Sequence, residues 1–104
     1  METKIKVSAP AQNPHICYIH REYKDKIAAI KDKTGMSLYN LLCVCGDTTL
    51  RKQEQIKEFK KELKQKGFKH IGEWSEMLID FLYERLEDLN NMDLMTIEIK
   101  PKEK

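Results

Sequence analysis

Polar and apolar positions first alternate, in Lys4-Ile5-Lys6-Val7, the mark of a half-buried strand. Ser8 to Pro14, which holds Pro10 and Pro14, reads as a linker. Ile16-Cys17-Tyr18-Ile19 predicts a second strand. Tyr23, Ile27 and Ile30 then trace one face of a helix. Gly35 stands where that helix must stop, because glycine accepts the left-handed conformation that ends it. Leu38, Leu41, Leu42 and Cys45 continue an apolar face behind Ser37, and Gly46-Asp47 predicts the turn out of it.

The pattern recurs about 33 residues later. Thr48-Thr49-Leu50-Arg51 predicts a strand, and Ile56, Phe59 and Leu63 one face of a helix with Gly67 as its stop. A long helix follows from His70, with Trp74, Met77, Leu78, Phe81, Leu82, Leu86 and Leu89 at three- and four-residue steps until Asn90-Asn91 ends it. Residues 94–100 hold a final alternating segment, Met95 to Lys100, which predicts an extra strand pairing with that at Lys4 or with an earlier one. The reading is one domain over residues 1–104, with repeats at 15–46 and 47–90. Two copies of one supersecondary unit pack on each other, since neither buries its apolar face alone. Ankyrin and tetratricopeptide arrays have similar periods but need three or more copies, and their signature residues are missing.

With 104 residues, 40% hydrophobic and 35% charged, the chain suits one small domain or one intertwined half of a symmetric dimer. No apolar run approaches a membrane span and no signal peptide opens the chain, so the expectation is cytoplasmic residence without a membrane partner. Net charge is only +2, but it is unevenly spread. Arg51, Lys52, Lys57, Lys60, Lys61, Lys64, Lys66 and Lys69 face three acids, Glu54, Glu58 and Glu62. From Glu73 to Asp93 the balance reverses, with seven acids and only Arg85. The basic stretch reads either as solvated ion pairs along a helix or as a polyanion-binding surface.

Cys17, Cys43 and Cys45 are an odd count, which excludes a full disulfide framework. With His15 they offer four metal donors, but a C-x-C pair lacks the gap of common zinc knuckles. Packing as small hydrophobes is the expectation, and no metal is assigned. The sequence carries no Ser-His-Asp pattern, no phosphate-cradling glycine loop and no paired carboxylates outside solvated helix faces. No enzyme, cofactor or small-molecule substrate is expected.

A strand followed by two helices with a glycine turn between them resembles the ribbon-helix-helix fold of the Arc, CopG and MetJ repressors. The residues that carry the resemblance are Cys17 to Tyr23 with Thr34-Gly35-Met36-Ser37, and Thr49 to Ile56 with Gly67-Phe68. The tandem form is similar to that of a regulator of archaeal filamentous viruses. The fold implied is mainly α with a small antiparallel β-ribbon. Its two repeats form an intrachain pseudo-dimer with extra terminal strands. The function implied is sequence-specific binding of double-stranded DNA by a transcriptional regulator, a repressor by preference, whose ribbon enters the major groove and which can assemble into homo-oligomers.

Alternation along the strands then assigns base readers. With Leu50 inward, Thr49 and Arg51 face out; with Cys17 and Ile19 inward, Ile16 and Tyr18 face out. Phosphate contacts are expected at the starts of the second helices, Ser37 in one copy and Lys69 and His70 in the other, and from Lys52 and Lys66. Ser37 also serves as a plain helix cap. Ile16 and Tyr18 depart from the polar pattern of the family and equally suit a protein partner. An antitoxin-like or viral adaptor module held by these residues and the acidic last helix is therefore the alternative, as is an accessory DNA-binding protein of a plasmid relaxosome or partition system.

Overall fold

The computed structural model describes residues 4–8 and 15–94. Both N-terminal segments expected to be strands are strands, β1 (Lys4–Ser8) and β2 (His15–His20), and they pair antiparallel with each other. Lys4 faces His20, Ile5 faces Ile19, Lys6 faces Tyr18 and Val7 faces Cys17. The next partners are Ser8 and His15, so Ile16 is one residue too many and the ladder bulges there. The bulge corrects the assignment of Ile16 to the outer face. An extra residue breaks the two-residue period, and Ile16 turns inward beside Cys17 and Ile19, 1% exposed.

A 3-10 turn at Arg21–Tyr23 leads into α1 (Lys24–Thr34), followed by α2 (Leu38–Cys45), α3 (Gln53–Gln65) and α4 (Ile71–Glu84). Gly35 ends α1 at φ 72°, its amide donating to the Lys31 carbonyl at 2.7 Å. A Cβ there would meet nothing within 4 Å, so the left-handed dihedral alone selects glycine. Gly67 ends α3 at φ 95°, where the amides of Gly67 and Phe68 donate back to the carbonyls of Lys64 and Leu63. Phe68 and Leu63 are both buried beneath this double cap, as the Schellman motif requires.

The same cap explains why residues 48–51 are not the expected strand. Asp47 takes the left-handed conformation at φ 49° and donates to the Val44 carbonyl, while the Thr48 amide donates to that of Cys43. The chain thus spends its next donors closing α2 and passes through turns directly to Gln53. Leu50 is fully buried as expected, but Thr49 and Arg51 belong to a turn. The strand that pairs with β2 is therefore β1 and not a segment of the second repeat.

The last helix is also shorter than its apolar stripe. Arg85 leaves helical dihedrals, stacks its guanidinium 3.9 Å from the Phe81 ring centre and donates to the Phe81 carbonyl at 3.1 Å. Those contacts close the C-terminus of α4, and Leu86–Asn91 continues as a separate 3-10 turn. Within α4 the buried stripe is Ile71, Trp74, Ser75, Leu78, Ile79 and Leu82. Met77, assigned to that stripe from spacing, lies on its flank and is exposed.

Helix α4 is the centre of the fold, packed against β2, α1 and α3. Trp74 meets Phe59 of α3 edge to face at 5.1 Å. Ile30, Leu42, Leu50, Ile56 and Leu63 complete the same core, each side chain contributing about 1.5–3 kcal/mol by leaving water. Fold class is thus mainly helical with a two-stranded antiparallel sheet. The linker beyond Ser8 and the strand expected at Met95 to Lys100 lie outside the described residues. Among the described residues no helix is long and apolar enough to cross a membrane.

Candidate nucleic-acid interface

The bulge and the register together decide what the ribbon shows. Ile5, Val7, Ile16, Cys17 and Ile19 turn toward the helices, and Lys4, Lys6, Tyr18 and His20 stay exposed. Lys4 stands opposite His20 and Lys6 opposite Tyr18, so the outer face holds two adjacent cross-strand pairs of cationic and aromatic character. No acidic residue occupies an outward position of the described ribbon. Tyr18 is 49% exposed, and the His15 ring braces it at 4.5 Å.

Helix α4 holds the ribbon in place from behind. At Gly72 the helix backbone meets the Tyr18 carbonyl oxygen so closely that any Cβ would overlap it. One turn on, the buried Ser75 hydroxyl lies 3.8 Å from the Cys17 sulfur. Glu76 then accepts two hydrogen bonds on one oxygen, from the His20 amide at 2.7 Å and from Nδ1 of its ring at 2.6 Å. With Nδ1 donating to that carboxylate, Nε2 is left for an outside partner. Asp80 accepts from the Tyr23 hydroxyl at 3.1 Å and from Lys26 Nζ at 2.8 Å, tying the start of α1 to the same helix. Tyr23 is pushed up to about 12, by burial first and by Asp80 beside it second. Glu76 and Asp80, read from sequence as part of an acidic surface for a partner, are thus engaged inside the fold.

The expected phosphate-contact residues are dispersed over the helix termini. Ser37 caps α2, its hydroxyl accepting the Asn40 amide at 3.3 Å. His70 caps α4, its Nδ1 accepting the Glu73 amide at 3.1 Å. Lys52 precedes α3, Lys66 follows it and Lys69 lies in the turn before α4, all three exposed. Along α3, Glu54, Glu58 and Glu62 close no ion pair with the lysines beside them. Lys60 is near enough to oppose, weakly, the effects that raise Cys17.

Thr49 and Arg51 do not join the ribbon. The Arg51 amide donates to the Gln55 side chain at 3.3 Å in the turn before α3. Its guanidinium lies by the buried Tyr39 hydroxyl, which closes no hydrogen bond of ordinary geometry. Burial raises the Tyr39 phenol and Arg51 pulls it the other way. Of the four expected base readers only Tyr18 stands on the exposed ribbon face. Lys4, Lys6 and His20, its neighbours there, were overlooked. The alternation at Lys4-Ile5-Lys6-Val7 already placed both lysines outward, but nothing in the sequence identified this strand as the partner of β2.

The cysteines pack as expected. Burial pushes the Cys17 and Cys45 thiols up to about 11. Among the described residues no three of His, Cys, Asp and Glu converge on a metal-sized site. No family model, no curated protein and no solved structure matches this chain.

Proposed function

We propose that the chain is a sequence-specific, double-stranded DNA-binding transcriptional regulator, a repressor by preference, whose β1–β2 ribbon is the element that reads the major groove. The observation that carries this reading is the outer face formed by Lys4, Lys6, Tyr18 and His20, to which neither strand contributes an acidic residue and which α4 backs through Gly72 and the contact of Glu76 with His20. A two-stranded ribbon fits the width of the major groove, where lysine can grip guanine and a tyrosine ring can pack on a thymine methyl. Ser37 and His70 stand at helix N-termini, which attract phosphate, and Lys52, Lys66 and Lys69 add exposed cations.

The reading retains the ribbon-helix-helix plan in altered form. Two helix-glycine-helix units, α1 with α2 and α3 with α4, pack in one chain, and β1 stands in for the strand of a second repeat. Recognition by one intrachain ribbon, with homo-oligomers along DNA, follows from that plan.

Selection from random double-stranded DNA tests it. A single enriched motif is expected, whose binding falls steeply with salt. The Tyr18→Ala variant is expected to relax preference at one or two positions. Lack of enrichment at moderate salt, or enrichment unchanged by Lys4→Ala with Lys6→Ala, would overturn the proposal.

A further inference from the structure

Between β1 and the first two helices the surface opens into a groove of about 450 Å³, within the range of small-molecule sites. Its floor is apolar: Ile5, Val7 and Ile19 from the inner face of the ribbon, with Ile27, Leu38 and Tyr39 from α1 and α2. The ribbon's inner face is divided between two neighbours. Helix α4 lies against β2, and β1 is met by α2, which leaves this gap beneath its edge.

The other lining residues are cationic or hydroxylic. Lys6, Arg21 and Lys24 reach the groove and no acidic side chain does. None of the three closes an ion pair among the described residues. Ser37 also lines it, so the N-terminal turn of α2, with its unspent amides and positive dipole end, adds to the same field. An apolar trough with two unneutralised cations, Arg21 and Lys24, at its margin selects a ligand with an apolar body and one anionic head. A cationic amphiphile is repelled, and a neutral one leaves the charges unsatisfied.

We propose that this groove binds a free amphipathic anion of the medium-chain carboxylate class, its chain lying on Ile5, Ile27 and Leu38 and its carboxylate held by Arg21 and Lys24. The site shares only Lys6 and Ser37 with the residues assigned to DNA, and its occupancy is measured without DNA.

Calorimetric titration of the full chain with dodecanoate, below its micellar concentration, is the test. Amide shifts mapped by NMR accompany it, with dodecanol and dodecyltrimethylammonium as the neutral and cationic controls. Saturable dodecanoate binding is expected, with shifts confined to residues around Ile5, Ile27 and Leu38. Dodecanol should bind about tenfold more weakly, and the Arg21→Ala, Lys24→Ala double variant should lose about tenfold for dodecanoate while keeping its dodecanol affinity. Both substituted residues are exposed, and an unchanged circular dichroism spectrum verifies folding. Equal affinity for dodecanoate and dodecanol would overturn the proposal. So would shifts centred on α3 or α4, absence of binding, or association only with phosphatidylglycerol vesicles.

Discussion

Gly72 of α4 and Tyr18 of β2 touch backbone to backbone: the glycine carries no Cβ because the Tyr18 carbonyl oxygen occupies its place. This contact sets the depth at which the helix meets the ribbon, and both Ser75 with Cys17 and Glu76 with His20 depend on it. The obstructing atom belongs to a main chain paired on its other side with β1, so it cannot yield as a flexible side chain would. Gly72→Ala is therefore expected to destabilise the fold by about 1–3 kcal/mol, although alanine is the better helix former. Urea denaturation measures it; a neutral or stabilising result would mean that the helix and ribbon separate freely.

Helix α4 begins on an unusual cap. The His70 ring accepts the Glu73 amide through Nδ1, a task that Ser, Thr, Asp or Asn commonly performs. Replacing His70 with alanine leaves that amide without its acceptor and is expected to cost about 1 kcal/mol. His70→Ser should recover most of the loss, since a hydroxyl accepts the same bond. Comparison of the three midpoints in denaturant checks both statements. Equal destabilisation by Ser and Ala would show that the ring acts by packing and not as an acceptor.

The helices were legible because their signals are local. Apolar spacing located all four, and Gly35 and Gly67 marked two of their ends. The segment after Cys45 was not, because Thr48-Thr49-Leu50-Arg51 has strand composition while its fate is decided by donors already committed to the end of α2. Ile16 escaped for a related reason: a bulge changes the period without leaving a residue-type signature. The ribbon face was half legible, since alternation exposed Tyr18 and both lysines but not which strands would pair. The left-handed Asp47, in the turn expected at Gly46-Asp47, also gives a measurable prediction. Asp47→Gly removes the steric cost at φ 49° and is expected to stabilise by about 0.5–1 kcal/mol, read as a raised denaturant midpoint. Gly35→Ala, the converse change at φ 72°, should lose about 1 kcal/mol.

The relocated ribbon separates two sets of candidate DNA contacts. Lys4 and Lys6 lie on the outer face, whereas Arg51 lies in a turn beside Tyr39. On the DNA-binding reading, Lys4→Ala with Lys6→Ala should weaken binding and lower the slope of log affinity against log salt by about 2. Arg51→Ala should change that slope by at most about 1 and leave the preferred sequence intact. Fluorescence anisotropy across a salt series measures both. Loss of a base preference in Arg51→Ala would return the reading element to residues 48–51.

Burial of two thiols links stability to alkaline pH. Cys17 and Cys45 are raised from an ordinary 9.0 to about 11, chiefly because their surroundings disfavour the thiolate. A group that holds its proton longer when folded contributes stability fully below its unfolded pKa, and that contribution disappears as pH rises toward the folded value. Unfolding free energy is therefore expected to fall between pH 9 and pH 11 and to fall less in Cys17→Ala with Cys45→Ala. The same burial keeps the native thiols protonated at pH 8, so iodoacetamide should modify them far more slowly in the folded protein than in urea. Mass spectrometry of alkylated peptides resolves the three cysteines individually. Rapid native labelling of Cys17 would mean that β2 and α4 part often enough to expose the contact between Cys17 and Ser75.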